Sequence, residues 1–138
     1  MNRIRLAISS CLLGQEVRYD GGHKRDAYLV GTLGRYFEFV PVCPEVAIGL
    51  GVPRAPIRLV GRPGTARAVG RQDPSLDVTA KLAAYGRKMG RALDDVSGYV
   101  LKSRSPSCGI ERVPVYDGDK ARPGRGIYAD AFLARAWK

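Results

Sequence analysis

Cys11, Cys43 and Cys108 each stand after an apolar, strand-like run. The runs are Ile4-Arg5-Leu6-Ala7-Ile8-Ser9-Ser10, Phe37-Glu38-Phe39-Val40-Pro41-Val42 and Gly98-Tyr99-Val100-Leu101-Lys102. In a parallel α/β sheet the carboxyl ends of the strands share one edge, and ligands bind in the crevice there. Thiols at three such ends would meet at one point in space, as the ligands of a metal do. A single cysteine is usually an apolar filler of the core. Three of them, beside Gly, Pro, Ser and Glu, point instead to a shared site. Their odd number, in a chain whose first residues read straight into a strand without a signal peptide, argues against a disulfide framework.

The chain has no Cys-x-x-Cys pair, which a zinc ribbon needs. A structural zinc would also want a fourth ligand, and His23, the one histidine, is the obvious candidate. An iron–sulfur cluster accepts three protein thiolates and leaves one iron open as a Lewis acid. In Cys43-Pro44 the proline would shape the turn beside such a cluster. Ser105-Pro106-Ser107-Cys108-Gly109 offers hydroxyls and main-chain N–H groups to sulfur or to a substrate oxygen. Glu45, two residues past a proposed ligand, is either an acid or base in a buried site or a helix N-terminal carboxylate favoured by the macrodipole. Both readings stand. Arg18, Asp20, Arg54 and Lys102 are candidates to shape the same pocket.

Strands at 4–10, 37–42 and 98–102 need helices between them. Asp26 opens one, expected to carry Tyr28, Leu29, Leu33 and Tyr36 inward. Pro44 suits the first turn of a short helix ending near Gly51. Ile57–Val60 and Ala66–Val69, separated by Gly61-Arg62-Pro63-Gly64, read as a hairpin. Asp77 begins the clearest helix, running to about Asp94. Val78, Leu82, Tyr85, Met89 and Leu93 form one apolar stripe along it. A β-like segment at 112–116 and a short helix from Ile127 to Trp137 complete the chain. The expected architecture is α/β and Rossmann-like: a mainly parallel sheet flanked by helices, in a single domain over residues 1–138.

Composition agrees. The 138 residues are 45% hydrophobic and 26% charged, as in a globular protein. No apolar run is long enough to span a bilayer, so a cytoplasmic location is expected. Lys and Arg number 23 against 13 Asp and Glu, a net charge of +10 that favours anionic partners. The charges are scattered, so a generally basic surface is a better reading than a dedicated nucleic-acid groove. From the residues alone, the competing functions are a zinc-stabilised nucleotide or nucleic-acid binding module and a cluster-dependent dehydratase.

The order of Ser10-Cys11-Leu12-Leu13-Gly14, Val17-Arg18-Tyr19-Asp20-Gly21, Val42-Cys43-Pro44-Glu45, Pro53-Arg54 and Lys102-Ser103-Arg104-Ser105-Pro106-Ser107-Cys108-Gly109 resembles that of the thiouracil desulfurases, over nearly the whole chain. The resemblance implies a Rossmann-like domain holding an oxygen-sensitive 4Fe–4S cluster, which aerobic preparations can lose, on Cys11, Cys43 and Cys108. It implies that water replaces the sulfur of a thiolated pyrimidine without net redox chemistry, leaving uracil and sulfide. Glu45 then matches the acid/base carboxylate. Ser105 is taken as the assisting serine, with Ser107, Arg18, Asp20, Arg54 and Lys102 at the substrate. The implied partners are thiouracil, thiouridine or thiolated tRNA, and no membrane.

Overall fold

The protein is described by a computed structural model covering residues 3–136. In chain order its elements are β1 (Ile4–Ser9), α1 (Ala27–Gly31), β2 (Phe37–Val42), α2 (Pro44–Ala47), β3 (Ile57–Val60), β4 (Arg67–Gly70), α3 (Thr79–Ala92), β5 (Gly98–Val100), β6 (Val113–Asp117), β7 (Lys120–Gly124) and α4 (Ile127–Ala136). The expected end of the last helix at Trp137 lies outside the described residues.

The three apolar runs form one parallel sheet in the order β2-β1-β5. β1 is central, and its Ala7 and Ile8 are wholly buried. The register pairs Ser9 with Val42 and Ile8 with Val100, so the three carboxyl ends finish almost level. Pro41 is tolerated because β2 is an edge strand, free to lack one N–H.

A second, four-stranded sheet runs β4-β3-β6-β7. It consists of two antiparallel hairpins joined by a parallel β3–β6 contact. The β3–β4 hairpin matches expectation. β7 was not foreseen, because Lys-Ala-Arg-Pro-Gly has neither alternation nor β-branched residues and is held only by pairing with β6. The fold is therefore α/β with a parallel sheet flanked by helices, plus this mixed sheet.

Leu59, Ala68, Val113 and Val115 of the second sheet pack on Val78 and Leu82 of the α3 segment and on Tyr128 and Phe132 of α4. Cys108 belongs to the same cluster. α3 and α4 touch closely at Gly86, where a Cβ would lie 2.6 Å from the Tyr128 carbonyl oxygen. Tyr99 and Tyr128 bond hydroxyl to hydroxyl at 3.0 Å. Burial drives both phenols far above their ordinary range, so they stay neutral.

Two local expectations are corrected. Tyr28 and Tyr36 do not turn inward; they are 62% and 66% exposed. The α1 helix ends at Gly31 and passes into a 3-10 turn at Leu33–Arg35, so the assumed 3.6-residue stripe is broken. Asp26 does cap α1, accepting the Leu29 N–H at 3.1 Å. The α3 helix begins at Thr79 rather than Asp77, whose carboxylate accepts the Thr79 N–H at 3.0 Å and an Arg67 N–H at 2.6 Å.

Candidate functional site

The level carboxyl ends of β1, β2 and β5 open onto a cavity of about 310 Å³, and Cys11, Cys43 and Cys108 all line it. Cys11 lies in the 3-10 turn that follows β1, and Cys43 is the N-cap of α2 directly after β2. Cys108 sits in the long loop after β5. All three are free thiols.

The Cys108 turn is built by its neighbours. Ser105 Oγ accepts the N–H groups of Ser107 at 3.2 Å and of Cys108 at 3.0 Å. The start of α4 docks on the same turn. Gly126 donates its N–H to Gly109 O at 2.7 Å, Ile127 to Pro106 O at 3.0 Å and Ala129 to Ser107 O at 2.9 Å. These bonds satisfy N–H groups that a helix start leaves unpaired, and they fix the cysteine's position. Arg104, just before the turn, holds a left-handed φ of 60° despite its Cβ, a conformation that persists only where neighbours impose it.

Burial dominates the electrostatics of the thiols. It pushes Cys108 up to about 12, with the Ser9 and Ser107 hydroxyls acting against it. Ser9 Oγ accepts the Lys102 N–H at 2.9 Å, so its own proton is available to the Cys108 sulfur. Burial also raises Cys11 and Cys43; Lys102 and Arg18 oppose this at Cys11, and the Val46 N–H and Arg54 oppose it at Cys43. Buried thiols surrounded by cations and donors are disposed to become thiolates when a metal binds.

Glu45 occupies the first turn of α2 and lines the cavity. Oε1 accepts from Arg54 Nε at 3.1 Å and Oε2 from Ser107 Oγ at 2.9 Å. Ser105 and Ser107 are 3.0 Å apart, oxygen to oxygen. Because Ser107 has one proton and gives it to the carboxylate, Ser105 must be the donor to Ser107. The Cys108 sulfur, 3.9 Å from Ser107 Oγ, is the weaker claimant on that proton.

Arg18, Arg54, Lys102, Ser105 and Ser107 line the cavity as expected. Asp20 is not among the lining residues. Its carboxylate accepts the Gly22 N–H at 2.9 Å and lies 3.9 Å from Arg18, which gives it a part in shaping the loop. The sequence reading missed Tyr19, Arg71 and Arg104 in the wall. Tyr19 was discoverable from its place beside Arg18, whose guanidinium lies 5.6 Å from its ring centre. Arg71 arrives from the end of the β3–β4 hairpin, and no local motif announces it.

Among the described residues, no three His, Cys, Asp or Glu side chains are grouped to hold a single metal ion. His23 is not among the residues lining the cavity, and its Nδ1 accepts the Arg25 N–H at 3.1 Å. The histidine offered as a fourth zinc ligand is therefore not in the wall that holds the three thiols. Three thiols around one cavity are a donor set that an iron–sulfur cluster accepts.

Comparison with known proteins gives concordant findings. A family model described as 2-thiouracil desulfurase matches residues 6–138. YbbK of Bacillus subtilis (strain 168), an uncharacterised protein, is 30% identical over 145 residues, spanning 95% of this chain and 90% of the relative. A solved structure of TudS, a 4Fe-4S-dependent thiouracil desulfidase, superposes with a TM-score of 0.69 at 35% identity, covering 96% of this chain and 86% of that one.

Proposed function

The chain belongs to the 2-thiouracil desulfurase family, and from that premise we propose that it converts a thiolated pyrimidine, thiouracil or thiouridine, to its oxo form with release of sulfide. The proposed cofactor is a 4Fe–4S cluster held by Cys11, Cys43 and Cys108, with one iron open. The carrying observation is that three free thiols and a doubly hydrogen-bonded Glu45 share one cavity.

The reaction exchanges sulfur for oxygen: C=S and water become C=O and hydrogen sulfide, and no electrons are transferred. When bound, such a cluster supplies a thiophilic Lewis acid for the thiocarbonyl sulfur. The protein's part is to orient the ring and to move protons. Water attacking the ring carbon must lose a proton as its oxygen bonds to carbon. Ser105 is the outer end of the hydroxyl chain and takes that proton as it gives its own to Ser107. Ser107 passes its proton to Glu45 Oε2. The hydroxyl left on the ring carbon gives up its proton as C=O forms, and that proton and the one on Glu45 both go to the departing sulfur, which leaves as hydrogen sulfide. Arg18 and Lys102 lie in the wall, where their charges suit the exocyclic oxygen and electron-rich ring of the pyrimidine.

We extend the substrate to thiolated uridine in nucleosides and tRNA. Arg18, Arg71, Lys102 and Arg104 in the wall, and the net charge of +10, favour phosphate-bearing forms. Free thiols fit a cytoplasmic setting. No helix among the described residues is long and apolar enough to cross a membrane.

The test is iron and acid-labile sulfide analysis of anaerobically prepared protein, alongside Cys11→Ala, Cys43→Ala and Cys108→Ala. Each substitution should remove iron and thiouracil turnover together. A Cys43→Ala protein with full iron and full activity would refute the three-thiolate site.

A further inference from the structure

We propose that Arg54 is a positioning residue that sets the Glu45 carboxylate, rather than a substrate contact. This role rests on the reading of Glu45 as the proton acceptor. The Arg54 side chain is 7% exposed and that of Glu45 14%, so the pair is largely removed from water. Nε donates to Glu45 Oε1 at 3.1 Å, while Nη1 donates at 2.8 Å to each of the Val17 and Gly51 carbonyls. The backbone N–H of Arg54 is anchored as well, on Tyr19 O at 2.7 Å.

A guanidinium is planar, so pinning Nη1 on two carbonyls fixes the direction in which Nε points. That direction is toward Glu45 Oε1, at 3.1 Å. The terminal torsion of a glutamate is broad and would otherwise let its two oxygens wander. With Oε1 held by Arg54, only Oε2 is left to face Ser107. The Val17 carbonyl also lies 4.0 Å from the Cys43 sulfur. One guanidinium therefore ties the loop after Cys11 to the helix that carries Glu45. Lysine would match the charge but is a point donor on a flexible stem and lacks the fork that holds Nε and Nη1 in fixed relation. A buried ion pair contributes little net stability over apolar packing, so geometry is the better account of this one.

The experiment is a double-mutant cycle on the cluster-loaded protein: Glu45→Gln, Arg54→Met and the double variant, with Arg54→Lys alongside. Iron content, visible absorbance, and kcat and KM for thiouracil are read for each, with kcat expressed per bound cluster. Arg54→Lys should keep its iron and a KM within about threefold, while kcat falls at least about tenfold. In the Glu45→Gln background, Arg54→Met should lower kcat by less than about threefold, because the group it positions is already gone. Should Arg54→Met fail to fold, Arg54→Lys takes its place in the cycle. Unchanged kcat per cluster in Arg54→Lys, or losses that multiply in the double variant, would overturn the positioning role alone. Full turnover in Glu45→Gln would overturn the Glu45 reading and this role with it.

Discussion

One hydroxyl proton cannot serve two acceptors, and that rule separates the two serines of the Cys108 turn. Ser107 gives its proton to Glu45 at 2.9 Å and is a link between Ser105 and the carboxylate. Ser105 has a second duty, since its oxygen accepts the N–H groups of Ser107 and Cys108 and so shapes the turn. Ser107→Ala should therefore retain iron and lose kcat, as should Glu45→Gln, the latter by at least about a hundredfold as expected for a lost general base. Ser105→Ala should lose iron as well as turnover. Iron quantification beside steady-state kinetics checks this, and the opposite pattern would reverse the two assignments. Sequence could not make this distinction. Ser105-Pro106-Ser107 reads the same in either direction, and the deciding carboxylate is 62 residues away along the chain. Cys11, Cys43 and Glu45, by contrast, closely follow strands whose runs are plain from composition, and Cys108 stands in the loop that leaves the third such strand.

At the level of elements, the site is made by three strands ending level and one helix start docking on a loop. The strands were readable because buried parallel strands are short, continuous apolar runs. Their order, β2-β1-β5, depends on crossovers that no local pattern encodes. The role of α4 was not readable either, because its bonds to the carbonyls of 106, 107 and 109 use only backbone. The same docking makes Gly126 a sensitive position. A Cβ there would lie 2.5 Å from the Ser107 carbonyl oxygen and 3.0 Å from the Cys108 N–H nitrogen, with backbone on both counts. Gly126→Ala should shift the Cys108 turn, lower stability by about 1–3 kcal/mol and reduce iron per chain. Urea unfolding with iron analysis checks it; wild-type iron loading would show that α4 does not set the turn. At α1 the periodic pattern misled and at β7 there was none to read, each for a physical reason. Gly31 and Thr32 end the helix after little more than a turn, and β7 is strand by pairing rather than by propensity.

For the whole molecule, two sheets and the loops between them enclose a cavity whose charged wall residues are cationic apart from Glu45. Fold class, the family and the meeting of the three thiols at one cavity were legible in the chain. The mixed sheet that brings Arg71 to the wall was not, because its parts are hairpins whose mutual placement is set by tertiary packing. The central claim is that this cavity exchanges sulfur for oxygen without redox chemistry. It is tested most directly by following uracil and sulfide together as anaerobically prepared, iron-loaded protein acts on thiouracil. The account predicts equal amounts of uracil and sulfide, with no added electron donor or acceptor, and loss of both products once a chelator has stripped the iron. Iron-loaded protein that leaves thiouracil intact, or that forms uracil only when a reductant is supplied, would contradict it.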